Sequence, residues 1–176
     1  IYTYYFVNKD VSVKDIIVKL LDRENEILSD YKDDIAASKY SVRDIIIMAS
    51  IVEKEGKTKD FDKIASVFYN RISISMNLES CATLYYGAKK EFSDVGIATS
   101  EMMGDDNPYN TYMYSGLPVG PISLPSKEAI EAAVKPADTE DLYFLSDNEG
   151  VTYFFKTFGE HQAKQQELIK AGKWDR

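Results

Sequence analysis

The stretch "IIIMASIVEKEG" (45–56) ends an almost continuous apolar run on two carboxylates, Glu53 and Glu55, with Lys54 between them. A carboxyl group set among hydrocarbon loses hydration, which disfavours its charged form and lets it hold a proton more tightly. The negative end of a helix dipole acts in the same direction. Such a group can protonate a leaving oxygen and, once ionised, accept a proton in a later step. At 100° per residue Glu55 falls near Met48, Ile51 and Val52, and Glu53 near Val42, Ile46 and Ala49. Lys54 shares the polar side with Arg43 and Ser50. The pattern makes both glutamates candidates and selects neither, and a solvated helix end fits it as well.

Two further groups of residues could serve the same chemistry. In "YNR" (69–71), Arg71 offers a planar fork suited to a carboxylate, and Asn70 offers an amide partner for Glu55 or for a sugar amide. In "PYNTYMYSGLPVGPIS" (108–123), Tyr109 and Tyr112 offer flat faces for sugar stacking, while Asn110 and Thr111 offer hydrogen bonds. Pro108, Pro118 and Pro121 with Gly116 and Gly120 turn and stiffen that segment, so Pro118 and Gly120 join the candidate binding residues. An ordered loop that only covers the core, and Arg71 as a helix-end cation, are the plainer readings. Glu53, Asp105 and Asp106 are the carboxylates available if a second one is needed. Cys81 has no histidine beside it in sequence and reads as a small buried residue, and His161 reads as a structural residue on a terminal helix.

These residues need positioning elements. "IYTYYFV" (1–7) has strand character. "SVKD" (12–15) and "SVRD" (41–44) are capping boxes that open helices, the first running to about Ala37 and the second closing at Gly56 as a C′ residue. A helix over 60–72 carries an apolar stripe of Ile64, Val67, Phe68 and Ile72. A short helix is expected over 81–90, an ordered loop over 91–125, and a helix over 126–135. "DLYFLSD" and "VTYFFKT", separated by "NEG", read as a hairpin, and "GEHQAKQQELIKAG" as a polar closing helix. The result is one α+β domain over 1–176, mainly helical.

Composition excludes several alternatives. With 44% hydrophobic and 12% aromatic residues, the 176-residue chain can bury a core. A net charge of −8 argues against nucleic-acid binding. A single cysteine precludes an internal disulfide, and one His with one Cys makes a multi-ligand zinc site improbable. No cofactor is called for. No apolar stretch reaches the 18–20 or so residues of a membrane span. The start at "IYTYYFV", without Met, is expected for a piece of a longer protein whose anchor lies upstream.

Four segments in order, "MASIVEKEG", "KIASVFYNRI", "PYNTYMYSGLPVGPIS" and "KPADTEDLYF", resemble the YceG-like family, the MltG endolytic peptidoglycan transglycosylases. The resemblance runs from about Ser41 to His161. It implies a lysozyme-like helical core with a small antiparallel β element and a C-terminal helix. It also implies that Glu55, the second glutamate of the triplet, is the catalytic residue. The implied reaction cuts the β-1,4 bond between N-acetylmuramic acid and N-acetylglucosamine in glycan strands and leaves 1,6-anhydro-muramic ends, with one Glu acting as acid and then base. Full-length members look like single-pass membrane proteins with the catalytic domain outside the cytoplasm, and peptidoglycan synthases of the elongation machinery are the implied partners. Three departures stand out: Cys81-Ala82-Thr83 where many members have Asp-Pro-Thr, Ser123-Leu124-Pro125-Ser126 where Asn-Pro-Gly is frequent, and Thr152 at a frequent His position. A lysozyme-like hydrolase on the same polymer, or a silent glycan-binding scaffold, are the alternatives.

Overall fold

Two Ser-x-x-Asp capping boxes set the start of the helical part. Ser12 opens α1 (Val13–Ser29) and Ser41 opens α3 (Val42–Glu55), each hydroxyl accepting from the third residue's N–H while the Asp carboxylate accepts from the cap's own N–H. The computed structural model describes residues 10–90 and 98–174. The strand expected over residues 1–7 lies outside them, as do residues 91–97 of the long loop. The first helix does not run unbroken to Ala37. It stops at Ser29, Tyr31 turns inward beside Ile27, and α2 (Lys32–Ala37) begins anew. Burying the Tyr31 ring and Ile27 outweighs continuation of a polar helix.

α3 is the centre of the molecule. Ile45, Ile47, Met48, Ala49, Ile51 and Val52 are all buried. It packs against α4 (Phe61–Ser73), which follows a 3₁₀ turn at Thr58–Asp60, and against α7 (Lys127–Val134). The stripe of α4 is as expected, with Ile64, Val67 and Phe68 buried and Ile72 packed against the core. Between α4 and α7 come α5 (Cys81–Gly87), α6 (Ser100–Met103) and the ordered loop through Pro125. α6 lies inside the segment expected to be loop, and its Met102 joins Leu84 and Ala98 in a small satellite cluster.

Ser50 corrects the expected polar side of α3. It is fully buried, and the Pro/Gly segment covers that side. Ser50 Oγ donates to Ile47 O and accepts from Ile122 N, Ser123 Oγ donates to Ser50 O, and Arg43 Nη2 donates to Val119 O. Pro118 and Gly120 are buried in this cover. Gly56 also differs in detail from a left-handed cap. Its φ is −149°, extended backbone, and a Cβ there would run into Ile64 Cδ1, so a larger residue must displace the buried Ile64 side chain.

The hairpin pairs β1 (Tyr143–Ser146) with β2 (Thr152–Phe155) antiparallel, Tyr143 opposite Phe155 and Ser146 opposite Thr152. Its turn is held by Asp147, whose carboxylate accepts from Glu149 N and Val151 N, and by Gly150 at φ +76°. α8 (Phe158–Lys170) starts at a third capping box, Thr157 with Glu160, and lies against both strands. The fold is α+β: a helical body with one two-stranded sheet and a closing helix. None of its described helices is long and apolar enough to cross a membrane.

Candidate active site

Glu55 ends α3 where the apolar helix meets a cleft of about 400 Å³, whose lining includes Arg71, Glu79, Ser80, Cys81, Tyr112 and Ser146. The Glu55 side chain is half-buried there, and Ser80 Oγ donates a short hydrogen bond to its Oε1. Ser80 occupies the N-cap position of α5, yet its hydroxyl caps nothing, because it is turned to Glu55 instead.

Hydroxyls behind Ser80 fix its backbone. Ser80 N donates to Thr111 Oγ1 at 3.1 Å, Thr83 Oγ1 donates to Ser80 O at 2.7 Å, and the Thr83 and Thr111 hydroxyls share a bond of 2.9 Å. Ser80, Thr83 and Thr111 are all buried. Asn110, also buried, gives its amide N–H groups to the carbonyls of Met102, Met103 and Asp105, and its Oδ1 accepts from Tyr112 N. Asn110 and Thr111 therefore spend their hydrogen bonds on the protein, with Asn110 shaping the loop and Thr111 holding the residue that bonds Glu55.

Arg71 lines the cleft but serves chiefly as an organiser. Its Nε donates to Leu142 O, and its Nη1 to the carbonyls of Asn77 and Leu78 and to Glu79 Oε2. This buried cation ties the hairpin to the turn that presents Ser80. The turn contains Glu79 at φ +53°, a left-handed conformation that is costly for a side chain of this kind. Glu79 N donates to Thr111 O, which helps to hold that conformation. Its carboxylate is half-exposed in the cleft, 3.2 Å from Arg71 Nη1.

Tyr112 is the loop tyrosine that reaches the cleft. Its hydroxyl shares a 3.2 Å hydrogen bond with Cys81 Sγ. Burial chiefly, then the Cys81 bond and the nearby charge of Glu55, push this phenol far above its ordinary range, so it stays protonated. Cys81 is half-buried and lines the cleft, so it is more open than the small core residue expected. Burial, helped by the Arg71 charge, pulls His161 below its ordinary value and favours its neutral form, and its buried Nδ1 has no hydrogen-bond partner among the described residues.

The other expected binding residues lie elsewhere. Glu53 Oε2 accepts from Ser126 N and Ser126 Oγ, clamping the start of α7. Asn70 Nδ2 donates to Thr139 O and Asp141 O, not to Glu55. Tyr109 packs edge-on to Tyr86, with ring centroids 4.8 Å apart, and its hydroxyl lies over Gly120. Asp106 accepts from Tyr114 Oη, and Asp105 lines a separate hollow beside α6. Among the described residues, the second carboxylate lining the Glu55 cleft is therefore Glu79, which the sequence reading missed. Its left-handed backbone leaves no mark in residue type, and the one cue for Ser80 was a serine before a helix, which would normally mean a cap.

The model of the YceG-like family matches residues 2–167. The chain belongs to the YceG-like family. It is 38% identical over 170 residues to the endolytic murein transglycosylase of Bacillus subtilis (strain 168), covering 96% of this chain and 46% of that protein. It is 32% identical over 171 residues to the endolytic murein transglycosylase of Streptococcus pneumoniae serotype 2 (strain D39), covering 95% of this chain and 31% of that one. A crystal structure of a YceG-like protein from Listeria monocytogenes superposes with a TM-score of 0.83 at 36% identity, over 93% of this chain and 53% of that chain. This YceG-like chain thus spans less than half the length of the curated relatives it matches.

Proposed function

We propose that this chain is the catalytic domain, over 1–176, of an endolytic murein transglycosylase, with Glu55 as its acid and base. The observation that carries the reading is the half-buried Glu55 carboxyl at the end of the apolar helix, opening into a cleft and held by Ser80. The names of the two bacterial relatives supply the reaction class.

In this reading a glycan strand lies along the cleft with a β-1,4 bond between N-acetylmuramic acid and N-acetylglucosamine beside Glu55. The protonated carboxyl gives its proton to the glycosidic oxygen as the bond from that oxygen to the muramic C1 breaks. The carboxylate that remains removes the proton of the muramic 6-hydroxyl, whose oxygen closes on C1. The products are a 1,6-anhydro-muramic end and a free N-acetylglucosamine end, and Glu55 is protonated again. Water is not consumed. Ser80 Oγ holds the Glu55 carboxyl through its Oε1. The substrate places the action outside the cytoplasm, and a membrane anchor and peptidoglycan synthases of the elongation machinery are the expected context.

Glu79 favours a second reading. A second carboxylate in one cleft with Glu55 is what a two-carboxylate glycoside hydrolase requires, at about 5–9.5 Å from the first. Product analysis separates the two. Mass spectrometry of digested glycan strands should find anhydro-muramic ends with the wild type and none with Glu55→Gln. Reducing muramic ends would establish the hydrolase, and unaltered cleavage by Glu55→Gln would remove Glu55 from its role.

A further inference from the structure

Trp174 is the chain's one tryptophan, and the reaction outlined above gives it nothing to do. It lines the Glu55 cleft together with Phe158, the first residue of α8. Phe158 is 52% exposed, a large apolar ring left open beside a catalytic carboxylate. Its back is supported: the His161 ring stacks on it at 5.9 Å and 14°, and Tyr143 lies 5.6 Å away. Trp174 is delivered by a tied segment. Gly172, at φ +66°, turns the chain out of α8, Lys173 N donates to Leu168 O, and Asn148 N of the hairpin turn donates to Lys173 O. The Lys173–Glu149 ion pair, at 3.1 Å, adds a second tie to that turn.

The open Phe158 ring and the half-buried Trp174 ring, lining one cleft with Ser146 and Glu79, are matched to a ligand with one apolar face and a hydrogen-bonding rim. A pyranose ring has that character: axial C–H bonds on a face, hydroxyl and amide groups at the edge. Aromatic rings supply broad contact at little loss of side-chain freedom.

We propose that Trp174 and Phe158 form a sugar-stacking subsite of the Glu55 cleft, which takes the apolar face of an N-acetylhexosamine ring in a β-1,4-linked strand. The inference rests on the transglycosylase reading for its ligand class, and it moves the stacking role from Tyr109 to the hairpin and α8 side of the cleft. The subsite holds the strand in the ground and transition states alike, so its loss raises KM and leaves kcat nearly unchanged.

Because Trp174 is the sole indole, its fluorescence reports the subsite directly. Soluble uncrosslinked glycan strands added to the Glu55→Gln protein should shift Trp174 emission in a saturable way. Phe158→Ala and Trp174→Ala, each otherwise active, should raise KM at least tenfold with kcat within about threefold, and Phe158→Tyr should restore the wild-type KM. Unchanged emission at saturating strand, with KM unmoved in both alanine variants, would overturn the subsite while cleavage by the wild type left the transglycosylase reading standing. Saturable emission changes without any cleavage by the wild type would do the reverse.

Discussion

Replacing Ser80 by alanine removes the hydrogen bond that Ser80 Oγ donates to Glu55. The change removes a single oxygen and leaves the backbone ties to Thr111 and Thr83 in place, so the turn should keep its shape. A hydrogen bond to a charged group contributes about 1.5–3 kcal/mol. In the proposed mechanism Ser80 Oγ bonds the carboxylate that Glu55 becomes after proton donation, so the loss should fall on the chemical step. At about 1.4 kcal/mol per decade, kcat should fall roughly 10- to 100-fold with KM little changed. The assay is release of anhydro-muramic products from uncrosslinked glycan under saturating and limiting substrate. Ser80→Thr keeps a hydroxyl and should retain more activity than Ser80→Ala. A Ser80→Ala enzyme within twofold of the wild type would refute the claim that this bond positions the catalytic group.

The remaining predictions concern the framework. Gly56→Ala should destabilise the protein by about 1–3 kcal/mol in urea titration, because a Cβ there meets the wholly buried Ile64 side chain; an unchanged midpoint would mean Ile64 can step aside. His161 is held below its ordinary value of 6.5 in the folded protein, mainly by burial, so the unfolded chain binds a proton more readily. Its contribution to stability is therefore complete above about pH 6.5 and is lost as the pH falls through the window below that value. His161→Gln should make urea midpoints between pH 7 and pH 5 fall less steeply than in the wild type, and parallel slopes would count against a neutral folded His161.

Sequence alone revealed the helices best where local signals and burial agree. The Ser12 and Ser41 boxes begin helices as their spacing dictates, and the apolar run of 45–52 is the centre of the core. The site was only partly legible. Glu55 was recognisable as one of two carboxylates, since period alone cannot tell which end-of-helix azimuth a distant loop will cover. Ser126 claims Glu53, and nothing near Glu53 in sequence announces that. The loop 108–123 was rightly read as ordered, but most of its polar residues bond inward. Asn110 and Thr111 solve the backbone's need for partners in a buried loop, a demand that residue type does not distinguish from ligand binding. Glu79 and Trp174 reach the cleft through a left-handed turn and a folded-back end of α8, both tertiary events.

The ties along α3 have a bearing on the order in which the chain assembles. Arg43 to Val119, Ser50 to Ile122 and Glu53 to Ser126 each join partners more than 70 positions apart, and Arg71 to Leu142 does the same for the neighbouring helix. As the chain leaves the ribosome, Ile45 to Val52 emerge well before the segment that covers their flank. At 5–20 residues per second that interval lasts several seconds. The most apolar helix therefore waits uncovered, a target for holding factors or for misassociation, and the cleft can take shape only after the hairpin has been made.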